Sequence, residues 1–299
     1  MRIYFPACVL WGFNFLCLDA IHNIELMRTE SREAFRHAYD SYMSFGFPHD
    51  EVMPISCKSR RFDQRSRGTL DDTMGGYMLT LVDTLDSLIV LREFDRFKIA
   101  LRNIASLTFA RDVSISVFEA NIRVIGGLLS AHQLAVHVFD TSVYDGVSLL
   151  NFAADLGQRL LPAFRTRTGI PIHRINLEKG RIKDEQTTTC TAAGGSFLLE
   201  MGLLSRLTGN ATYEKAAYTA LRSLWEKRSK LNLVGSMIDT GTGQWVTHHT
   251  GIGAGIDSFY ETMFKSAILF GDSKLMSWFE EAYDAVQTHT IHQVNHSMK

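Results

Sequence analysis

The chain has 299 residues, of which 45% are hydrophobic and 21% charged, proportions typical of a folded globular protein and unlike those of a disordered one. Its 31 basic and 32 acidic residues leave a net charge of -1, which gives no long-range attraction to nucleic acid or anionic lipid and argues against a dedicated nucleic-acid binder. Four cysteines are too few for a disulfide-stapled scaffold of this length.

The first twenty residues are typical of a secretory signal peptide. Arg2 precedes an apolar stretch that a proline and an asparagine interrupt, and Ala20 offers a cleavage point. An uncleaved signal anchor is the alternative, although the stretch is short for a membrane span. We predict a signal peptide at residues 1–20 and a single domain at residues 21–299, because no linker rich in Pro, Gly or Ser divides the rest.

Two cysteines, Cys57 and Cys190, follow the predicted signal peptide. In an oxidising compartment they could pair with each other or with partners elsewhere, and the sequence leaves both alternatives open. Acceptor sequons at Asn210 and Asn295 weakly support a secretory route.

Helical periodicity dominates the predicted domain. One β-hairpin is predicted over residues 233–246, where alternating apolar residues flank a turn rich in Gly and Thr, and residues 165–186 are irregular. The predicted helices cover residues 24–46, 70–91, 93–109, 115–137, 145–162, 191–207, 210–228, 256–271 and 273–293.

These helices alternate in character along the chain. Nearly all-apolar segments, such as 115–137 and 191–207, are followed by segments with a clear polar face, such as 145–162 and 210–228. An inner layer of helices surrounded by an outer layer explains this alternation. The sequence therefore predicts an all-α fold of the α/α barrel type, with an α-solenoid as the alternative.

The first candidate for chemistry is the pair Glu119 and Arg123. The residues are four apart, so they share one helical face, and the simplest reading is a surface salt bridge. Apolar neighbours on both sides predict instead a desolvated pair, and buried ion pairs are not an economical route to stability. A buried carboxylate beside a fixed cation is a candidate acid or base.

The second candidate is the pair Asp257 and Glu261, which follows a glycine-rich stretch at residues 251–255. Like charges four residues apart repel on a helix, so we expect a purpose other than stability. The alternative is a helix N-terminus at which the dipole favours acids, and it accounts for Asp257 better than for Glu261.

Three further acids lie in apolar helices: Asp83, Asp86 and Glu200. Each alone is weak evidence, since a buried acid often caps a helix or holds an arginine. Inner helices of a barrel would bring all these carboxylates together at one end, and paired carboxylates in a concave site are what glycoside hydrolysis requires. No metal-ligating cluster is predicted from the spacing.

Several blocks, in order, give the chain a resemblance to a known family. They begin at His37, Phe47, Leu79, Val117, Leu160, Thr189, Leu204 and Gly251, and they extend over about residues 30–285. Among them are Val117-Phe-Glu-Ala-Asn-Ile-Arg-Val-Ile-Gly-Gly and Gly251-Ile-Gly-Ala-Gly-Ile-Asp-Ser-Phe-Tyr-Glu. The sequence resembles the class I α-mannosidases of glycoside hydrolase family 47, in the ER degradation-enhancing branch.

The resemblance implies an (α/α) barrel of seven helix hairpins, residence in the endoplasmic reticulum lumen and dependence on Ca²⁺. It implies inverting removal of α-1,2-linked mannose from high-mannose N-glycans on misfolded glycoproteins, and a monomer with a protein disulfide isomerase-like partner. By motif match, Glu119 takes the general-acid position, acting through water, with Arg123 in support. Asp257 matches a second active-site carboxylate, and Glu200 and Glu261 match acids that contact sugar or support the site.

The sequence departs from the family pattern in four respects, one of which is Thr191-Ala-Ala-Gly-Gly in place of a Thr-Ala-Gly-x-Gly run. The loop Gly169-Ile-Pro-Ile-His-Arg replaces a Gly-Ile-Pro-Tyr-Pro type, and Thr262 follows Glu261 where Tyr is usual. The family domain is expected to continue past Lys299, with the likely base and the calcium-binding Thr in that part. We therefore expect an incomplete barrel of about nine helices. A mannosidase, a lectin-like binder of glycans or misfolded chains, and a non-functional short product all remain hypotheses.

Overall fold

A computed structural model describes residues 8–61, 63, 72–181 and 186–291, with side chains from residue 23 onward. The chain divides into two compact units, residues 1–60 and residues 61–299. No helix in the described residues is long and apolar enough to cross a membrane.

The first unit is a long helix followed by a hairpin. Helix α1 (Cys8–Phe45) precedes the antiparallel strands β1 (Glu51–Met53) and β2 (Lys58–Arg60). The buried Tyr42 ties the end of α1 to the turn before β1, because its hydroxyl donates a hydrogen bond of 2.7 Å to the carbonyl oxygen of His49.

The second unit is built from helices that pack in pairs. The helices are α2 (Leu79–Asp83), α3 (Leu85–Val90), α4 (Phe94–Ile104), α5 (Val117–Glu119), α6 (Gly126–Val138), α7 (Ser148–Leu160), α8 (Thr191–Gly195), α9 (Leu198–Thr208), α10 (Thr212–Trp225), α11 (Asp257–Phe270) and α12 (Ser273–His289). A π-helical turn, Ala120–Ile125, joins α5 to α6, and a 3₁₀ turn, Leu161–Phe164, follows α7.

Two layers of helices are present, as the alternation predicts. Helices α3, α6, α9 and α11 form an inner succession in which α6 packs on α3 and α9, and α9 packs on α11. Each inner helix also packs on the outer helix that follows it in sequence, which gives the pairs α3–α4, α6–α7, α9–α10 and α11–α12. The prediction of an all-α, two-layer fold is confirmed.

Short strands join the inner helices to their neighbours. Strand β3 (Ser114–Ser116), which immediately precedes α5, pairs antiparallel with β4 (Arg174–Asn176). Strand β5 (Thr188–Cys190), which immediately precedes α8, forms a three-stranded antiparallel sheet with β6 (Met237–Asp239) and β7 (Trp245–Thr247). The hairpin predicted at residues 233–246 is β6–β7, and the third strand was not predicted.

Two predicted helices begin later than expected. Residues 72–78 form turns and bends, although 70–91 was predicted as one helix, because Gly76 and Met78 have φ values of 74° and 57°. Residues 114–116 are a strand, although 115–137 was predicted as one helix. The nine predicted segments correspond to twelve α-helices in the described residues, since three of them are divided.

A close approach of α8 to α10 and α11 gives a stability prediction. A Cβ on Gly195 would lie 2.5 Å from Cδ2 of Phe259 and 2.8 Å from Cδ1 of Leu224, and the phenyl ring is buried and cannot move away. We expect Gly195→Ala to lower the free energy of unfolding by about 1–3 kcal/mol through overpacking. Urea denaturation would measure this, with Gly253→Ala as control because a Cβ there meets nothing within 4 Å. Equal midpoints for the two variants would contradict the expectation.

Candidate active site

A cavity of about 470 Å³ lies where the strand-to-helix junctions of the second unit meet. Three predicted site residues, Glu119, Asp257 and Glu261, line it together. The remaining lining residues are Asp72, Thr73, Ser116, Phe118, His173, Cys190, Ala192, Ala193, Ala254, Gly255 and Ser258. The structure therefore brings together acids that are more than 130 positions apart in the sequence.

The carboxylate of Glu119 is placed by the start of α5. Ser116 caps this helix, and its hydroxyl oxygen accepts a hydrogen bond of 3.2 Å from the backbone N–H of Glu119. Arg123, one turn later, donates from Nε to Oε2 of Glu119 at 2.7 Å. The cap and the guanidinium together orient the carboxylate at the cavity wall.

The expectation that this pair is desolvated is wrong. The side chain of Glu119 is 27% exposed and that of Arg123 is 43% exposed. The apolar neighbours of the pair, including Val124 and Leu128, are fully buried on the core side of the same helical stretch. The pair lies on the other side, where the helix borders the cavity and solvent, and there a carboxylate remains accessible to a substrate.

Asp83 extends this charge cluster, whereas Asp86 belongs to a different contact. Oδ2 of Asp83 lies 3.6 Å from Nη1 of Arg123, so the guanidinium lies between two carboxylates. Burial raises the pKa of Asp83, and the nearby Arg123 opposes that rise. The carboxylate of Asp86 accepts hydrogen bonds from Ser130 at 2.8 Å and Ser87 at 3.2 Å. Neither aspartate lines the cavity.

Asp257 and Glu261 both belong to the first turns of α11. The Asp257 carboxylate accepts a hydrogen bond of 2.9 Å from the backbone N–H of Ser258, as expected of an acid at a helix N-terminus. Glu261 pairs with Lys265 at 2.7 Å, which offsets the repulsion between the two acids. Gly255, with a φ of 89°, brings the preceding loop to the cavity wall.

Glu200 lies behind the cavity wall. Its Oε2 accepts a hydrogen bond of 2.7 Å from Nδ2 of Asn121, a fully buried residue of the π-helical turn. Burial raises the pKa of Glu200 to about 7, while the Asn121 hydrogen bond acts in the opposite direction. The structure thus connects Glu200 to the segment that carries Glu119 and Arg123, and Glu200 does not line the cavity.

This raised pKa predicts a pH-dependent stability. The folded state holds the proton up to about pH 7, whereas the unfolded chain releases it near pH 4.5, so stability falls as pH rises between these values. We expect Glu200→Gln, which keeps an acceptor for Asn121, to be more stable than the wild type by about 2–3 kcal/mol above pH 7 and equal to it near pH 4. Denaturant titrations across this range would measure the difference. Glu280→Gln, at an exposed position, is the control. If the free energy of unfolding depended on pH in the same way in both variants, the raised pKa would not belong to Glu200.

Sequence reasoning missed two groups in the cavity wall, Asp72 and His173. Asp72 is buried, and its Oδ2 accepts a hydrogen bond of 2.8 Å from Nε of Arg174 and lies 2.7 Å from Nη2 in an ion pair. Its carbonyl oxygen accepts a hydrogen bond of 2.9 Å from the backbone N–H of Ser116. Asp72 and His173 both lie in irregular segments, where no periodicity of the sequence indicates a buried position. The only signal available was the departure at Gly169-Ile-Pro-Ile-His-Arg, which contains His173.

The structure describes the side chains of two cysteines, Cys57 and Cys190, and both are free thiols. Cys190 is half-buried in the cavity wall, and burial raises the pKa of its thiol. Cys57 is exposed.

Calcium has no ligand set in the part of the chain that the structure describes. No group of three or more His, Cys, Asp and Glu side chains there could hold a metal ion. The three cavity acids already have partners other than a metal ion, namely Arg123, Lys265 and a helix N-terminus. The described residues therefore do not fit a resident calcium ion.

Comparison with known proteins identifies the family. The model of glycosyl hydrolase family 47 matches residues 34–299. The chain belongs to this family. Among curated family relatives, it is 45% identical over 265 residues to human ER degradation-enhancing alpha-mannosidase-like protein 3, covering 85% of this chain and 28% of that protein. It is 43% identical over 300 residues to an alpha-mannosidase I of Arabidopsis thaliana, covering 95% of this chain and 52% of the relative.

The solved structures support the same fold. The α-1,2-mannosidase from Trichoderma reesei superposes with a TM-score of 0.76 at 24% identity, covering 88% of this chain and 54% of that one. The helices of this family 47 chain thus follow the family's (α/α)7 barrel, and the solenoid alternative is not needed. The chain spans about half the length, or less, of the curated relatives that it matches.

Proposed function

We propose that this chain is part of an α-1,2-mannosidase that trims mannose from high-mannose N-glycans of misfolded glycoproteins. The observation that carries the proposal is the cavity in which Glu119, Asp257 and Glu261 meet. Membership of family 47 supports glycoside hydrolysis as the class of reaction, and the names of the relatives support ER degradation as the setting. On the same grounds we propose the endoplasmic reticulum lumen as the location.

The proposed roles follow from the chemistry of inversion. A protonated acid must aid departure of the glycosidic oxygen, while a second carboxylate takes a proton from the water that attacks the anomeric carbon on the opposite face. We assign the acid to Glu119, acting through a water molecule, because its carboxylate is partly exposed at the cavity wall. Asp257 is the second cavity carboxylate, on a different helix.

The other acids take supporting roles in this proposal. Arg123 holds the Glu119 carboxylate in place and is itself held by Asp83. Glu261 borders the sugar at the cavity wall, and Glu200 supports the π-helical turn from behind. Asp86, whose carboxylate contacts Ser87 and Ser130, contributes only to the packing of α3 on α6.

Two partner proposals go with this function. Glycoproteins that carry high-mannose glycans are the substrates, and the chain acts on them as a monomer. The exposed thiol of Cys57 is a point at which a protein disulfide isomerase-like oxidoreductase would attach.

A non-catalytic binder is the second candidate. Helix α11 exposes three large apolar side chains, Phe264, Ile268 and Leu269. Apolar surface of this kind is suited to binding an unfolded polypeptide. In such a protein the acid cavity would bind a glycan without cleaving it.

A hexose-loss experiment separates the two candidates. A high-mannose oligosaccharide is incubated with the chain, with and without added calcium, and products are followed by mass spectrometry. Successive losses of one hexose, with the β-anomer of mannose appearing first by NMR, are expected of the inverting enzyme. Binding of the oligosaccharide without hexose loss under either condition would establish the binder and refute hydrolysis by this chain.

A further inference from the structure

His173 occupies a distinctive place in the cavity wall. It immediately precedes β4, and its carbonyl oxygen accepts a hydrogen bond of 3.0 Å from the backbone N–H of Val117, two residues before Glu119. Its side chain lines the same cavity as Glu119 and Asp257, and it is 31% exposed. The backbone at this point is therefore tied to the acid-bearing helix, whichever side chain residue 173 carries.

The two ring nitrogens of His173 differ in their surroundings, because only Nε2 faces a carboxylate. Nε2 lies 3.7 Å from Oδ2 of Asp72, and Asp72 is buried and held by Arg174. The negative carboxylate favours the tautomer with its proton on Nε2, which leaves Nδ1 as an acceptor. Within the described residues, Nδ1 has no hydrogen-bond partner.

We propose that His173 is a specificity-determining residue of the cavity, whose neutral imidazole accepts a hydrogen bond at Nδ1 from a saccharide hydroxyl. The inference rests on the proposed function, because it takes the cavity as the saccharide site. A sugar hydroxyl is the matching donor, since the cavity is lined by carboxylates, hydroxyl groups and small side chains, among which the imidazole adds an uncharged nitrogen acceptor. In this scheme Asp72 is a positioning residue that sets the tautomer.

The charges around the ring determine how saccharide binding depends on pH. Burial lowers the pKa of His173; Asp72 and Glu119 oppose that effect, and Arg174 adds to it. Asp257 and Glu261 face the same cavity from α11. Because the pKa lies below its usual 6.5, the acceptor form predominates at neutral pH. Binding is therefore present above the lowered pKa and lost as pH falls through it.

The test uses α-1,2-mannobiose as the probe and the intact chain as the protein. Long-range ¹H–¹⁵N NMR spectra report the tautomer and the titration of each histidine ring, and calorimetry reports affinity at pH 5 and pH 7.5. We expect mannobiose to shift the Nδ1 resonance of His173 at pH 7.5 and to bind about tenfold more weakly to His173→Phe, as loss of one hydrogen bond predicts.

A conservative variant distinguishes ligand contact from a structural role. His173→Asn keeps an acceptor near the Nδ1 position and cannot titrate, so we expect wild-type affinity at pH 7.5 and no loss of affinity as the pH is lowered through the pKa that NMR gives for the wild-type ring. His137→Gln is the matched control, because His137 is exposed near the end of α6 and bonds only to the Gln133 carbonyl oxygen. The thermal unfolding midpoint of each variant is measured as well, and affinities are compared only among variants whose midpoints equal that of the wild type.

The outcomes separate this inference from the proposed function. Mannobiose binding with an unchanged Nδ1 resonance and equal affinity for His173→Phe would overturn the role of His173 and leave the function intact. No mannobiose binding by the wild type at any pH would overturn both.

Discussion

Replacement of Glu119 by Gln is expected to slow mannose release by about 10²- to 10⁴-fold, the usual contribution of a positioned general acid. Gln is nearly isosteric and its Oε1 still accepts from Nε of Arg123, whose bond to Glu119 is 2.7 Å, so the helix start remains in place. The loss should appear in kcat with little change in KM, because the proton is required only in the transition state. Mannose release from a high-mannose oligosaccharide is the measurement.

A matched control exists on the outer layer. Glu226→Gln makes the same chemical change at an exposed position whose only partner in the described residues is Arg222, one turn earlier. We expect full activity from this variant. If Glu119→Gln retained the wild-type rate, the acid would have to be another residue, and Asp257 would be the first to test.

Removal of the Asp72 carboxylate is expected to have the largest effect on stability. Asp72 is buried, accepts a hydrogen bond from Nε of Arg174 and lies within ion-pair distance of its Nη2; the side chain of Arg174 is 36% exposed. Leaving one member of a buried ion pair without the other costs about 3–5 kcal/mol, and the partial exposure of Arg174 reduces this. We therefore expect Asp72→Ala to lower the free energy of unfolding by about 2–4 kcal/mol, measured by chemical denaturation.

The double variant and a surface control test the cause. Asp72→Ala combined with Arg174→Met removes both charges and should recover part of the loss, because no charge is then left without its partner. Asp95→Ala breaks a pair with Lys98 on the surface, where Asp95 is 96% exposed, and should leave the midpoint unchanged. A double variant no more stable than Asp72→Ala would show that the ion pair is not the source of the effect.

The helices were predictable because burial of one helix face places apolar residues at a helical period along the sequence. Helix α11 (Asp257–Phe270) lies within one residue of its predicted bounds, and α10 (Thr212–Trp225) lies within three. The same reasoning failed at residues 72–78, where Met74 and Tyr77 are buried without being helical. Apolar residues in a buried turn give the same sequence pattern as a helix, and the residues with a left-handed backbone conformation that separate the two are not evident from the sequence.

The candidate site was predictable only where its residues lie on helices. Glu119, Asp257 and Glu261 were found because acids stand out in apolar periodic segments, and the cavity contains all three. Asp72 and His173 lie in irregular segments and meet the cavity only through strand pairing and backbone hydrogen bonds between distant parts of the chain. No local sequence pattern predicts such long-range contacts.

The π-helical turn Ala120–Ile125 makes the site sensitive to deletion as well as to substitution. A π turn holds one residue more than an α-helical turn, and each residue of an α-helix advances by about 100°. Loss of a single residue from this turn would restore a regular helix and rotate Glu119 by about a quarter of a turn relative to α6. Glu119 would then turn away from the cavity together with the rest of α5, while α6 kept its packing on α3 and α7, so a one-residue shortening would remove the acid from the site without removing that packing.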